Sequence, residues 1–265
     1  IREAVVVFRR AYFSIAIFAI AVLALLTSPQ NSITVIATSQ ETRFPEEVVF
    51  TLEAQSKADI VEVTFFYNVA GTKVSSYSYP EFASGHHVIA KTTVKTNGGS
   101  YIPPGVDIRY HYLIRDAEGN EFETSPQLYK YRDPKFEWHE LTDGSLTVLW
   151  HDYSEEAVRE RVSEVKARLA TVARAFGLQG DLPQVRAILY RSSSNAAQVF
   201  PLVSETASQQ HIYGGFAFAE YGMFLLVGLD VNGMVHELTH IVLDEAITSS
   251  LVRVPAWLNE GLATY

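Results

Sequence analysis

Residues 233–246 read GMVHELTHIVLDEA, and their periodicity decides what the C-terminal half of the chain is. Val235, Leu238, Ile241, Val242 and Ala246 recur at three- and four-residue spacing, the pattern of a helix with one buried face. Asp230 and Asn232 just ahead are good capping residues. In such a helix His236 and His240 stand one turn apart on the same face, with Glu237 displaced to the side. Their ring nitrogens can then reach one ion at ~2.0–2.1 Å, and Glu237 can take the proton of a water which that ion activates. The competing reading is two ordinary helix histidines beside a carboxylate, and the motif alone leaves both open.

Working outward, GMFLLVGL (222–229) is strand-like, and HIYGGFAFAEYGMFLLVGLDV (211–231) gives one or two strands rich in aromatics and glycine. Upstream of these, SLTVLWH (145–151) and QVRAILYR (184–191) are apolar runs of strand length. Between them DYSEEAVRERVSEVKARLATVARAFG (152–177) is the clearest helix in the chain. Ser154 or Asp152 can cap it, Glu155 and Glu156 favour its positive end, and Gly177 stops it. Val158, Val162, Val165, Leu169, Val172 and Phe176 form its single apolar stripe, suited to lie on a sheet. This half is α+β.

Before residue 132 the period changes to two. VVFTLEA (48–54), VEVTFFYN (61–68) and DIRYHYLIRD (107–116) alternate, with Val61, Val63, Phe65 and Tyr67 placed on one face of the second run. NVAGT, FASGH, TNGGS, IPPG and DAEGN punctuate them as turns. Short strands at this spacing read as a β-sandwich over 33–134. His86 and His87 are adjacent strand residues pointing to opposite faces, which makes them surface residues rather than co-ligands. RDPKFEWHEL (132–141) is the boundary, and the α+β region follows over 140–265.

At the N-terminus, AYFSIAIFAIAVLALL (11–26) carries no charge and follows Arg9 and Arg10. It is short for the ~20 residues that cross a bilayer, and slightly long for the apolar core of a signal peptide. Residues 1–28 are therefore expected to be a signal anchor, or a cleaved signal. Everything beyond is placed outside a bacterial cell membrane, or secreted if cleavage occurs. The chain starts at Ile1 rather than Met.

Composition limits the partners. The 265 residues include 21 basic and 30 acidic ones, a formal charge of −9, which argues against DNA or RNA. There is no cysteine, so disulfides and thiolate metal sites are excluded.

The reading of the helix sharpens with PAWLNEGLATY (255–265), where Pro255 suits a first helical turn and Glu260 lies twenty residues beyond His240. H-E-x-x-H followed at this distance by N-E-G-L-A resembles the gluzincin metallopeptidases, the thermolysin-like branch of the zincins. The run W-L-N-E-G-L-A is most similar to bacterial peptidase-MA-like domains. YHYLIRDAEGNEFET (110–124) likewise resembles the late hairpin of immunoglobulin-like and fibronectin-type modules. These resemblances imply a multi-domain chain: a membrane helix, an immunoglobulin-like sandwich as spacer, and the N-terminal part of a zincin-type α+β domain. They imply that His236, His240 and Glu260 bind one Zn²⁺ per chain and that Glu237 is the base. The activity implied is zinc-dependent hydrolysis of a peptide or protein substrate outside the cytoplasmic membrane.

Two departures stand out. The position one turn after Glu260, where the family has a carboxylate supporting a ligand histidine, is Thr264, so that support must be weaker or come from elsewhere. The family's oxyanion-stabilising residue would lie beyond Tyr265. Asp244, one turn after His240, can face the metal site or solvent. GGFAFAEYG (214–222) fits an edge strand that receives an extended substrate, or a buried hairpin with glycines at its bend. The alternative function is a surface binding or adhesion protein whose zincin fold is degenerate. An intact Glu237 favours the enzyme.

Overall fold

The computed structural model describes residues 32–72, 74–178, 183–201, 214–247 and 254–264. The expected membrane segment, 11–26, lies outside these. Among the described residues no helix is long and apolar enough to cross a membrane. Single-pass anchoring, and the outward or secreted placement built on it, therefore find no support in the structure and are withdrawn.

The alternating N-terminal half forms one seven-stranded antiparallel sheet: β1 (Thr34–Arg43), β2 (Glu47–Val69), β3 (Ser75–Ser78), β4 (Gly85–Lys95), β5 (Asp107–Asp116), β6 (Glu121–Glu123) and β7 (Gln127–Lys130). Its spine is β2, 23 residues long. The first part of β2 pairs with β1 and β4, and the second part with β5 and β3. The two parts face each other, because the Phe50 and Phe65 rings sit 4.9 Å apart. Fifteen residues of straight strand would separate them by ~50 Å. The strand folds over between Gln55 and Glu62, where its registers with both β4 and β5 shift. Val48, Phe50, Leu52 and Ala54 from one layer then meet Val63, Phe65, Ile108, Tyr110, Tyr112 and Ile114 from the other. Val61 is not among them; it is 49% exposed, because the fold-over breaks the alternation there. Asp116 holds the bend, accepting hydrogen bonds from Ser56 Oγ at 2.9 Å and Ser32 Oγ at 3.2 Å, and from Asn120 N at 2.9 Å across the β5–β6 turn.

The second half is built of β8 (His139–Asp143), β9 (Leu146–Trp150), α1 (Glu155–Ala175), β10 (Val185–Tyr190), the short α2 (Ser193–Ala196), β11 (Gly215–Phe218), β12 (Met223–Val227), α3 (Val231–Ala246) and α4 (Ala256–Thr264). Its sheet runs β11-β12-β10-β9-β8, parallel through β12, β10 and β9, with an antiparallel strand at each edge. The central strands are apolar on both faces because both are covered. Val148, Ala187, Leu189, Phe224 and Leu226 pack under Val158, Val162, Val165 and Leu169 of α1 and Met234, Leu238 and Val242 of α3. The residues between them, Leu149, Ile188, Tyr190, Met223 and Leu225, join the core of the sandwich.

That shared core corrects the expected fold class. The arrangement is not an immunoglobulin-like spacer followed by a separate zincin-type domain. Residues 31–265 form one compact unit in which strands predominate. Gly105, at φ +108°, lies so close to β10 that a Cβ on it would stand 2.3 Å from Ile188 Cδ1. Beside it, Asp107 bridges Arg132 at 2.9 Å and Arg186 at 3.1 Å, tying the two sheets by one carboxylate.

Candidate metal centre

Helix α3 is started by Asp230, whose carboxylate accepts from Gly233 N at 2.6 Å. Its apolar stripe fixes its rotation on the sheet, and that rotation sets the histidines on the rim. His240 is nearly buried and His236 partly so, their rings 4.8 Å apart at 85°. Their Nε2 atoms are 3.2 Å from one another. Two nitrogens each ~2.0–2.1 Å from a tetrahedral ion lie roughly 3.3 Å apart, so the spacing suits a shared ion. Glu260, presented by α4, completes the group with Oε2 at 3.4 Å from His236 Nε2 and Oε1 at 3.8 Å from His240 Nε2. All three ligand atoms lie within 4.8 Å of one another.

The protonation of His240 follows from its other nitrogen. Nδ1 donates to Asn259 Oδ1 at 3.0 Å, which leaves Nε2 with its lone pair directed at the group. Sequence reading missed Asn259. Its adjacency to Glu260 was visible, but its contact with α3 was not. Thr264 gives no such support, since its hydroxyl donates to Glu260 O at 2.8 Å. The residue that orients His240 is therefore the one before Glu260 rather than the one a turn after it.

Glu237 is 7% exposed and lies against the edge strand β11. A Cβ on Gly215 would come within 2.5 Å of its Oε1, so the glycine serves this close approach rather than a hairpin bend. The Ala217 N–H donates to the carboxylate. Burial, followed by the charge of Glu260, pushes Glu237 up to about 7 against the stabilising pull of that hydrogen bond. A carboxyl with these surroundings is suited to accept and return a proton near neutral pH. Two imidazoles and one carboxylate are a donor set that could hold a metal ion, with a second carboxylate beside it.

The remaining sequence candidates fall away from this group. His86 and His87 are exposed, and pair with Asp59 at 3.6 Å and Glu53 at 2.8 Å. Asp244 is exposed on the continuation of the histidine face and is not one of the three grouped residues.

No family model and no curated protein matches the chain. Among solved structures, similarity is found to a carbohydrate-binding module family 56 β-1,3-glucan binding domain (16% identity, covering 37% of this chain and 96% of that one, TM-score 0.24). It is found also to a GH family 64 laminaripentaose-producing β-1,3-glucanase from Paenibacillus barengoltzii (16% identity, 43% and 26% covered, TM-score 0.25). A third similarity is to yeast LTA4 hydrolase in complex with bestatin (10% identity, 80% and 43% covered, TM-score 0.31). None of these scores reaches the level of a shared fold. The expected membership among gluzincin or peptidase-MA-like metallopeptidases is corrected, since no such family model matches the chain. Peptide hydrolysis outside the membrane, which rested on that membership, is withdrawn with it.

Proposed function

We propose that the chain is a zinc-dependent hydrolase in which His236, His240 and Glu260 hold one ion and Glu237 is the general base. The observation that supports it is the convergence of three ligand atoms within 4.8 Å beside a nearly buried carboxylate. Zinc there would supply Lewis acidity and lower the pKa of a water to about 7. Glu237 would accept a proton at its carboxylate and return it to the leaving group of the bond that is cleaved. The Ala217 N–H holds Glu237 in place, and Asn259 holds His240 in the neutral form that ligation needs. The reaction class is hydrolysis of an amide or ester bond, and a panel of both kinds of probe, with zinc content measured alongside, tests it. Glu237→Gln keeps its zinc and loses ~10²–10⁴-fold in rate. Glu260→Ala, His236→Ala and His240→Ala lose the zinc itself. Full zinc occupancy and rate in Glu260→Ala would refute the assignment.

A second role for the sandwich is supported by its surface. Tyr77 and Tyr79 are 63% and 66% exposed and stand edge to face at 5.8 Å. Tyr77 adjoins Phe66, which stacks on His111 at 5.0 Å. Aromatic faces held in water suit the apolar faces of sugar rings, and carbohydrate binding is the role named for the module similar in structure. Sedimentation with insoluble β-1,3-glucan, reduced in Tyr77→Ala and Tyr79→Ala, is the expected result. Equal retention of both variants and wild type would remove this role.

A further inference from the structure

Glu237 is held from a strand as well as from its own helix. That strand, β11, is a four-residue edge strand paired with β12. Val227 N donates to Gly214 O, and antiparallel alternation then leaves the Ala217 N–H on the outer edge, where the Glu237 carboxylate accepts it. Side chains alternate too: Ala217 packs with the core beneath α3, and Phe218 with the core of the sandwich. A ladder this short fixes a hairpin weakly, so contacts on its sandwich side decide where it sits.

Two sandwich residues make those contacts. The Tyr101 ring stacks on Phe218, with centroids 5.6 Å apart and planes at 30°. Its hydroxyl donates to Val199 O at 2.5 Å, in the segment after α2. Burial raises the pKa of this hydroxyl, which therefore stays a donor. Phe200, next along that segment, meets Phe216 of β11 edge to face at 5.0 Å. At the end of the strand Gly71, at φ +93°, lies so near the 219–221 turn that a Cβ on it would collide with Tyr221 O. A cleft of about 730 Å³ borders Tyr101 and the same turn, so the hairpin has room to shift where these contacts are lost.

We infer that Tyr101 is a positioning residue for Glu237: with Gly71 it sets where β11 lies against α3, and so where the Ala217 N–H holds the carboxylate. Calling Glu237 a base rests on the proposed hydrolase; its being held from the sandwich does not. Full-length Tyr101→Leu, Gly71→Ala and Phe50→Leu are compared, the last removing a ring that packs on Phe65, Tyr110 and Tyr129 within the sandwich. Amide exchange of Ala217 is read in zinc-free protein well below its melting temperature, and kcat, KM and zinc content in the loaded protein. Tyr101→Leu and Gly71→Ala speed Ala217 exchange about fivefold or more, the protection of one hydrogen bond. Both lower kcat about tenfold or more, with KM and zinc content at wild-type values, because a small misplacement of a reacting group is costly. Tyr101→Phe, which keeps the ring on Phe218, recovers most of the loss. Phe50→Leu lowers the melting temperature and moves neither readout. Gly71→Ala carries the test if Tyr101→Leu does not fold. Ala217 exchange at the wild-type rate, or an equal change in Phe50→Leu, overturns the inference, and so does an unchanged kcat in an active enzyme. Faster exchange beside an inactive wild type that takes up no zinc sinks the hydrolase and leaves the positioning standing.

Discussion

At the scale of single residues, the proposed zinc site depends on two neighbours outside the ligand group. Asn259 accepts from His240 Nδ1 at 3.0 Å and so fixes which nitrogen faces the group. Asn259→Ala should weaken zinc binding by about 10–100-fold, read by competition with a chromogenic chelator. Asn259→Asp, which still accepts, should restore most of it. Gly215 acts on the base instead. Gly215→Ala places a methyl 2.5 Å from Glu237 Oε1 and must push the carboxylate off the Ala217 N–H. The expected outcome is a fall in kcat with zinc content unchanged, and a variant with undiminished kcat would show that the carboxylate need not sit there.

At the scale of elements, the fold-over of β2 is the device that makes two layers from one sheet. Asp116 secures it, and hydrogen bonds from Asn120, Ser56 and Ser32 hold its carboxyl down at about 2. An unfolded aspartate titrates near ~3.9. A depressed folded value means the contribution is complete above about pH 4 and is lost as pH falls from there toward 2. Thermal melts across that window should show a decline that Asp116→Asn flattens, since the amide has no charge to lose. A wild-type curve as flat as the variant's would count against this role. Helix α4, only nine residues long, is marginal without packing, so zinc bridging Glu260 to α3 should raise its amide protection against exchange.

At the scale of the whole molecule, the two sheets share one core through Leu149, Ile188, Tyr190, Met223 and Leu225. The sandwich alone would leave those partners' contact surface in water, so residues 32–135 in isolation should bind apolar dye and melt well below the whole chain. Gly105→Ala strikes the same contact: it adds a methyl 2.3 Å from Ile188 Cδ1 at a backbone φ of +108°. Overpacking and backbone strain together should cost about 2–4 kcal/mol and lower the melting of both halves at once. Loss confined to the sandwich signal would show two independent units.

The sequence by itself determined whatever depends on neighbours within a turn or two of chain. The α1 stripe, the cap at Ser154, the alternation of β2 and β5, and the H-E-x-x-H face of α3 are such features, because helix and strand periods are local geometry. It also named Glu260, whose distance along the chain says nothing about distance in space until α4 packs on α3. Tertiary structure decided the rest. Val61 turned outward because β2 bends at a place where no glycine or proline marks it. Asp244 joined a cleft whose other wall lies in residues 67–102, and Gly215 met Glu237 across a strand edge. The central strands read as plain apolar runs, which reveal that both faces are covered but not by what. Only packing could assign one face to the helices and the other to the sandwich, since apolar burial is non-directional and specifies no partner.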